Sequence, residues 1–207
     1  MLFKKKKENE TPALESPDRS FFLFSGINGA GKTSLYAAIN AREYLGERIS
    51  IDSIAHSLGD WSDAAVQVRA GRMAIERVRA CISEGRTFNQ ETTLPGAVIV
   101  KQIMAAREAG YKVTMHYVGV NSVDIAIDRV HARIARGGHG ISDEVIMRRW
   151  AGMPEALGKV MPLCDKVCFY DNTDLFRQIV MIEDGKLTDA DPHLPDWFYY
   201  VTGINKN

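Results

Sequence analysis

Eight consecutive residues, Gly26-Ile27-Asn28-Gly29-Ala30-Gly31-Lys32-Thr33, match G-x-x-x-x-G-K-[ST] without a mismatch. Glycines at these positions let the backbone curl until successive N–H groups face one point, which makes a cradle for phosphate. The apolar run Ser20 to Phe24 precedes the loop, and good helix formers follow it from Ser34 to Leu45. The helix N-terminus then adds its dipole in favour of an anion. The pattern points to a nucleoside triphosphate held by Gly26, Asn28, Gly29, Ala30, Gly31, Lys32, Thr33 and Ser34. Lys32 is placed to bridge β- and γ-phosphates, and Thr33 to ligate Mg²⁺.

Other residues of chemical interest follow predicted strands. Asp52 comes after Arg48-Ile49-Ser50-Ile51, where a carboxylate near the γ-phosphate could take the proton of an acceptor hydroxyl; the plainer reading is a helix N-cap. Glu91-Thr92-Thr93 follows the third strand and could bind acceptor hydroxyls or Mg²⁺-bound water. A plain turn there would more often use Gly, Asn or Asp. Arg133 and Arg136 sit at i, i+3 before Gly137-Gly138-His139-Gly140, and Arg148 and Arg149 lie on the next helix. Glycines between two arginine-bearing helices read as a lid over about 133–150 that closes on the triphosphate. The plainer alternative is a solvated helix face. His139 reads as a loop or capping residue rather than a catalyst.

A phosphate loop alone names no reaction. D-x-x-G and N-K-x-D, expected of a GTPase switch, are absent, and so is the L-S-G-G-Q signature of a transport ATPase. A small-molecule kinase needs a base near the acceptor and cations over the transferring phosphoryl group. That pattern fits. The rival class is a nucleotide-binding interaction protein without turnover of its own.

The elements that must position these groups are legible as alternating strands and helices. Strands are predicted at 20–24, 48–51, 86–91, 111–118 and 167–170, with a hairpin formed by 179–182 and 186–188. Helices are predicted at 34–45, 64–84 and 97–108, with a further stripe of Val123, Ile127, Val130 and Ile134. The stripe of the 64–84 helix is Val68, Gly71, Ile75, Val78 and Ile82, and Gly85 suits its stop. Ser142 reads as the N-cap of a further helix. The fold class implied is α/β, a P-loop nucleotide-kinase-like domain with a mostly parallel central sheet flanked by helices and a helical lid. Ligands in such sheets bind beyond the carboxyl ends of the strands, where Asn121 and Asp171 also fall.

The chain has 207 residues, with 26 Lys+Arg against 26 Asp+Glu. That length suits one domain over 19–207, with a C-terminal hairpin and tail over 178–207. Residues 1–18 read as a flexible arm. Zero net charge argues against a nucleic-acid binder. MLFKKKK is not followed by the apolar stretch of a signal peptide, and no run reaches membrane-span length, so a cytoplasmic location without membrane contact is expected. Cys81, Cys164 and Cys168 are too few for a disulfide framework and read as buried thiols.

The chain resembles the zeta-toxin family of P-loop kinases over about residues 20–175. The matching pieces are SGINGAGKTS (25–34), AGRMAIERV (70–78), FNQETTLPG (88–96), AREAGYKV (106–113), AIDRVHARIARGGHGIS (126–142), EVIMRRW (144–150) and YDNT (170–173). The resemblance implies ATP and Mg²⁺ as cofactors and transfer of phosphoryl to a hydroxyl of UDP-N-acetylglucosamine, with an antitoxin as a possible protein partner. It implies that Asp52 is the base, that Glu91, Thr92 and Thr93 bind the acceptor, and that Arg136 and Arg149 stabilise the transferring group. Asp171 and Asn172 are implied beside the adenine. Ser50 and Ser53 depart from the family's N-[AG]-D-E-I-A, and Gly140 departs from G-G-H-D-V-P. These departures leave the acceptor open, so a kinase for another small hydroxyl compound is the alternative. Arg69 and Arg72 lie in the region that would decide it, and Arg72 is the candidate for a diphosphate-bearing acceptor.

Overall fold

The computed structural model describes residues 19–61, 63–94 and 96–206. Its centre is the first strand, β1 (Ser20–Ser25), in which Phe21, Leu23 and Phe24 are fully buried. A short apolar run of this kind suits a strand covered on both faces. The chain continues through α1 (Lys32–Asn40), β2 (Glu47–Ile49), α2 (Ile51–Leu58), α3 (Ala64–Glu84), β3 (Phe88–Thr92), α4 (Ala97–Glu108) and β4 (Lys112–Gly119). It then runs through α5 (Val123–Ala135), α6 (Asp143–Ala151), α7 (Met153–Val160), β5 (Lys166–Asp171), β6 (Arg177–Glu183), β7 (Lys186–Ala190) and α8 (Asp196–Thr202). Residues 1–18, read from sequence as an arm, lie outside the described residues.

The strands form one sheet in the order β2-β3-β1-β4-β5-β6-β7. The first five are parallel, and β6 and β7 are antiparallel additions. From β1 the chain moves toward the β2 edge, whereas from β4 it moves toward β5. These two neighbours therefore diverge, and the crevice at their carboxyl ends is where such a sheet binds ligands. Register brings the polar ends level: Ser25 pairs with Thr92 and Tyr117, and Gly119 pairs with Asp171.

Most elements fall where the sequence places them. α3 spans Ala64–Glu84, with Gly85 as its left-handed cap at φ 67°. Its buried face is Ala70, Ala74, Val78 and Cys81, while Val68 is exposed. The inward stripe is thus made of small residues, which a search for large apolar groups passes over. The second strand is shorter than expected, because Ser50 caps a helix: its side chain accepts from the Ser53 N–H at 3.3 Å. Asp52 therefore stands in the first turn of α2 and is not its N-cap. In the hairpin, Asp184 and Gly185 both have positive φ, as a tight two-residue connection between twisted strands requires. The C-terminal aromatics pack back on the sheet: Trp197 and Phe198 are buried, and the Trp197 ring stacks on Tyr117 at 5.8 Å. All three cysteines are buried and free. Among the described residues no helix is long and apolar enough to cross a membrane.

Candidate active site

The 26–33 loop leaves β1 and closes onto α1. Gly26 has φ +133° and Gly29 φ +81°. A Cβ on Gly26 would lie 2.2 Å from the Val118 carbonyl oxygen, and one on Gly29 2.2 Å from that of Ala126. The loop is thus pressed between the end of β4 and α5, in a backbone conformation that only glycine adopts without strain. Asn172 closes it from the other side, donating its Nδ2 to the Ala30 carbonyl at 2.7 Å.

Lys32 opens α1 and is 7% exposed, with Nζ donating to the Ile27 carbonyl at 3.0 Å. Burial pushes its ammonium down to about 8, helped by Arg149 and Arg133 and opposed by the carboxylates of Glu91 and Asp52. All four charged groups therefore act electrostatically on one buried amine. Arg149, on α6, donates to Asn28 Oδ1 of the loop at 2.5 Å, and burial lowers its pKa as well.

Glu91, at the end of β3, accepts from Thr33 Oγ1 at 3.1 Å on both carboxylate oxygens and from Arg48 Nη2 at 3.1 Å. Arg48 also lies over the Tyr36 ring, 4.0 Å from its centroid. Sequence reading passed over Arg48. Its signal is register: Arg48 pairs with Asn89 in parallel strands, so period two puts its side chain on the face that carries Glu91. Thr92 turns its hydroxyl inward to accept from the Leu94 N–H at 2.9 Å. Leu94 is buried at φ 59°, a costly conformation for a leucine, and it sits next to the site. Thr93 is half-buried beside it.

The arginines separate in a way that spacing could not show. Arg133 is half-buried, and its Nε and Nη2 are enclosed without a hydrogen-bond partner. Arg136 caps the C-terminus of α5 with its side chain exposed and makes no ion pair among the described residues. The guanidinium that reaches Lys32 electrostatically is Arg133, not Arg136. Of the two arginines, Arg133 is enclosed beside the site and Arg136 stands in solvent. Arg72 is likewise exposed on α3, and among the described residues no hydrogen bond or ion pair ties it to the loop.

Asp171, implied by the resemblance beside the adenine, ends β5. It is 7% exposed, and its Oδ1 accepts from Thr173 Oγ1 at 2.6 Å and from Trp197 Nε1 at 2.9 Å. Arg177 lies 3.6 Å from Oδ2. The carboxylate is consumed in anchoring α8 and the 171–173 turn, which leaves Asn172 as the residue of the pair that touches the phosphate loop. Asp52 has a half-exposed side chain, with Oδ2 3.2 Å from His139 Nε2. His139, read from sequence as a loop residue, thus touches the candidate base.

The donor set fits a bound triphosphate and its metal. Arg133 offers buried N–H groups with no partner, and Lys32 holds a positive charge in a dry place. Thr33 and Glu91 bring hard oxygen atoms together, the donor type that Mg²⁺ takes while keeping several waters.

No family model matches the chain. An uncharacterised protein of Haemophilus influenzae is 30% identical over 132 residues, which is 62% of this chain and 90% of that protein. Among solved structures, the AvrRxo1-ORF1:AvrRxo1-ORF2 complex with sulphate ions superposes with a TM-score of 0.62 at 15% identity, covering 83% of this chain and 60% of that one. The PezAT toxin–antitoxin system of Streptococcus pneumoniae gives 0.57 at 18% identity, covering 80% and 74%. A protein of Chloroflexus aurantiacus described as a candidate kinase gives 0.57 at 19%, covering 75% and 89%. At such identities the likeness is one of fold. The chain spans about 60% of the length of the AvrRxo1-ORF1 relative. The chain shares its fold with these structures and belongs to the same family as the Haemophilus influenzae protein.

Proposed function

We propose that the protein is an ATP- and Mg²⁺-dependent small-molecule kinase that phosphorylates a hydroxyl of a sugar nucleotide, with UDP-N-acetylglucosamine as the first acceptor to test. The observation that carries this reading is the attachment of Glu91 to Thr33 and of Arg149 to Asn28 around buried Lys32, with Asp52 and Arg133 in electrostatic reach of that amine. A loop that merely bound nucleotide would not need a carboxylate on α2 and arginines from α5 and α6 around the same point. One AvrRxo1-ORF1:-ORF2 structure carries ATP, which supports a nucleotide ligand. The PezAT likeness supports an antitoxin as the class of protein partner.

Bound ATP with Mg²⁺ supplies the transferable phosphoryl group, with ADP as the leaving group. Asp52 accepts the proton of the acceptor hydroxyl as that oxygen bonds to phosphorus. Lys32, Arg133 and Arg149 balance the charge that spreads over the equatorial oxygens and the departing β-phosphate. Thr33 and Glu91 hold the metal side of the site, with Glu91 fixed by Arg48. The segment between α5 and α6, joining the helices that carry Arg133 and Arg149, shields the site from water that would otherwise take the phosphoryl group.

The test is ATP consumption with Mg²⁺, with and without UDP-N-acetylglucosamine, followed by mass analysis of the sugar nucleotide. A gain of one phosphoryl group is expected. ATP bound but no acceptor modified in a broad hydroxyl screen would sink the kinase reading in favour of a nucleotide-binding interaction protein. A second expectation separates the arginines. Arg133→Ala should lower kcat by about 10²–10³-fold, as loss of one preorganised donor does. Arg136→Ala should leave kcat near wild type; equal losses in the two variants would contradict the placement above.

A further inference from the structure

His139 lies in the segment between α5 and α6 and belongs to neither helix. Its Nε2 is 3.2 Å from Asp52 Oδ2, and its Nδ1 is 3.4 Å from His56 Nε2. The ring rests against Trp61, with centroids 4.9 Å apart. Asp52 and His56 are four residues apart on α2, so they share one helix face. That face receives the imidazole from a segment more than eighty residues away in sequence.

The direction of the hydrogen bonds follows from the groups themselves. An ionised carboxylate only accepts, so the proton sits on His139 Nε2. With Nε2 as donor, Nδ1 of the same tautomer is an acceptor, matched by an Nε2–H on His56. In this tautomer the chain runs from His56 to His139 to Asp52. Among the described residues no other side chain donates to the Asp52 carboxylate.

The path of the loop explains how the ring arrives there. A Cβ on Gly138 would lie 2.7 Å from Arg133 Cγ, and one on Gly140 would lie 2.1 Å from Ile134 Cδ1. Small residues on both sides of His139 let the segment fold tightly over the last turn of α5. That turn carries Arg133, so one stretch of chain delivers Arg133 and His139 to the same site.

We propose that His139 is a positioning residue for phosphoryl transfer: from the α5–α6 loop it donates to Asp52 Oδ2, leaves Oδ1 for the acceptor, and completes the base only when that loop is docked on α2. The proposal rests on the kinase reading given above. It also makes arginine delivery and base orientation one event, because both depend on the same segment. An acceptor proton then has a fixed recipient only when Arg133 is in place.

The test uses the full chain. His139→Leu keeps bulk without an N–H, and His139→Gln places an amide N–H near the position of Nε2. Expected is a fall in kcat of about 10–100-fold for His139→Leu, as for loss of other orienting partners, with the KM for ATP little changed. His139→Gln should recover most of the loss at the same Tm. Full activity in His139→Leu, or no recovery in His139→Gln, would overturn the proposal. A readout without turnover separates it from the kinase reading. In ¹⁵N-histidine NMR, His139 should be the Nε2–H tautomer, and its Nε2 signal should move in Asp52→Asn. An unmoved signal overturns the hydrogen bond itself. A moved signal in a wild type that phosphorylates no acceptor overturns the kinase reading, and the positioning role with it.

Discussion

Asp52→Asn is expected to lower turnover by about 10²–10⁴-fold, the usual contribution of a positioned base, while ATP binding is retained. The substitution is informative because of what it leaves in place. Asn Oδ1 can accept from His139 Nε2 as the carboxylate does, so the loop stays docked on α2. Ser50, not Asp52, caps the helix, so α2 keeps its start. The phosphate loop, Lys32, Arg133 and Arg149 are untouched. What disappears is the negative charge and the capacity to take a proton. Single-turnover phosphoryl transfer measured beside nucleotide titration would separate the two steps. Normal turnover in the variant would remove Asp52 as the base and return attention to Glu91, whose oxygens already face Thr33.

Lys32→Met is expected to act on activity and on stability with opposite signs. Loss of the cation beneath the β- and γ-phosphates should cost about 10²–10³-fold in kcat, by analogy with other preorganised charges, and should abolish stabilisation of the fold by ATP. The ligand-free protein should become more stable at pH 7. Burial lowers Lys32 from its ordinary value to about 8, so the folded state holds that charge at a cost. A shift of that size corresponds to roughly 3 kcal/mol, and loss of the bond to the Ile27 carbonyl returns about 1 kcal/mol of it. The sign with pH follows by linkage. Between the folded pKa near 8 and the unfolded one near 10.5, the unfolded chain binds more protons. This group therefore adds stability to the wild type as pH rises through that window. Below pH 8 its full cost is present, and the advantage of the methionine variant should be greatest there and shrink toward pH 10. ATP affinity of the wild type should weaken as pH climbs past 8, because a neutral amine attracts no phosphate. Calorimetry of both proteins at pH 7 and near pH 10, with and without ATP and Mg²⁺, checks all three. A methionine variant less stable than wild type at pH 7 would contradict the burial account.

Parts of the molecule set by local rules were legible in advance. The phosphate loop is one: its positive-φ glycines are a property of eight residues, and strand and helix follow within a few more. α3 with its glycine cap and the Asp184-Gly185 hairpin are others, since caps and tight turns are decided by backbone angles that particular residues favour. The alternation of strands and helices was enough for a mostly parallel sheet. It was not enough for α2, where a serine cap cut a strand short, nor for the inward face of α3, where alanines do the packing.

The composition of the site was decided at long range. Spacing placed Arg133 and Arg136 on one helix face, but Arg133 is half-buried and acts electrostatically on Lys32, whereas Arg136 ends α5 with its side chain in solvent. Asp171 stands at a strand end where ligands bind, yet Trp197 from the last helix takes up its carboxylate. Arg48 reaches Glu91 across two strands, and His139 reaches Asp52 from the segment between α5 and α6. Sequence by itself determined that this protein has a phosphate-binding loop in an α/β domain, because that information is local backbone geometry. Which charges surround the loop, and which are consumed elsewhere, was decided only by the tertiary structure, because side chains distant in sequence meet only after the sheet and its helices have packed.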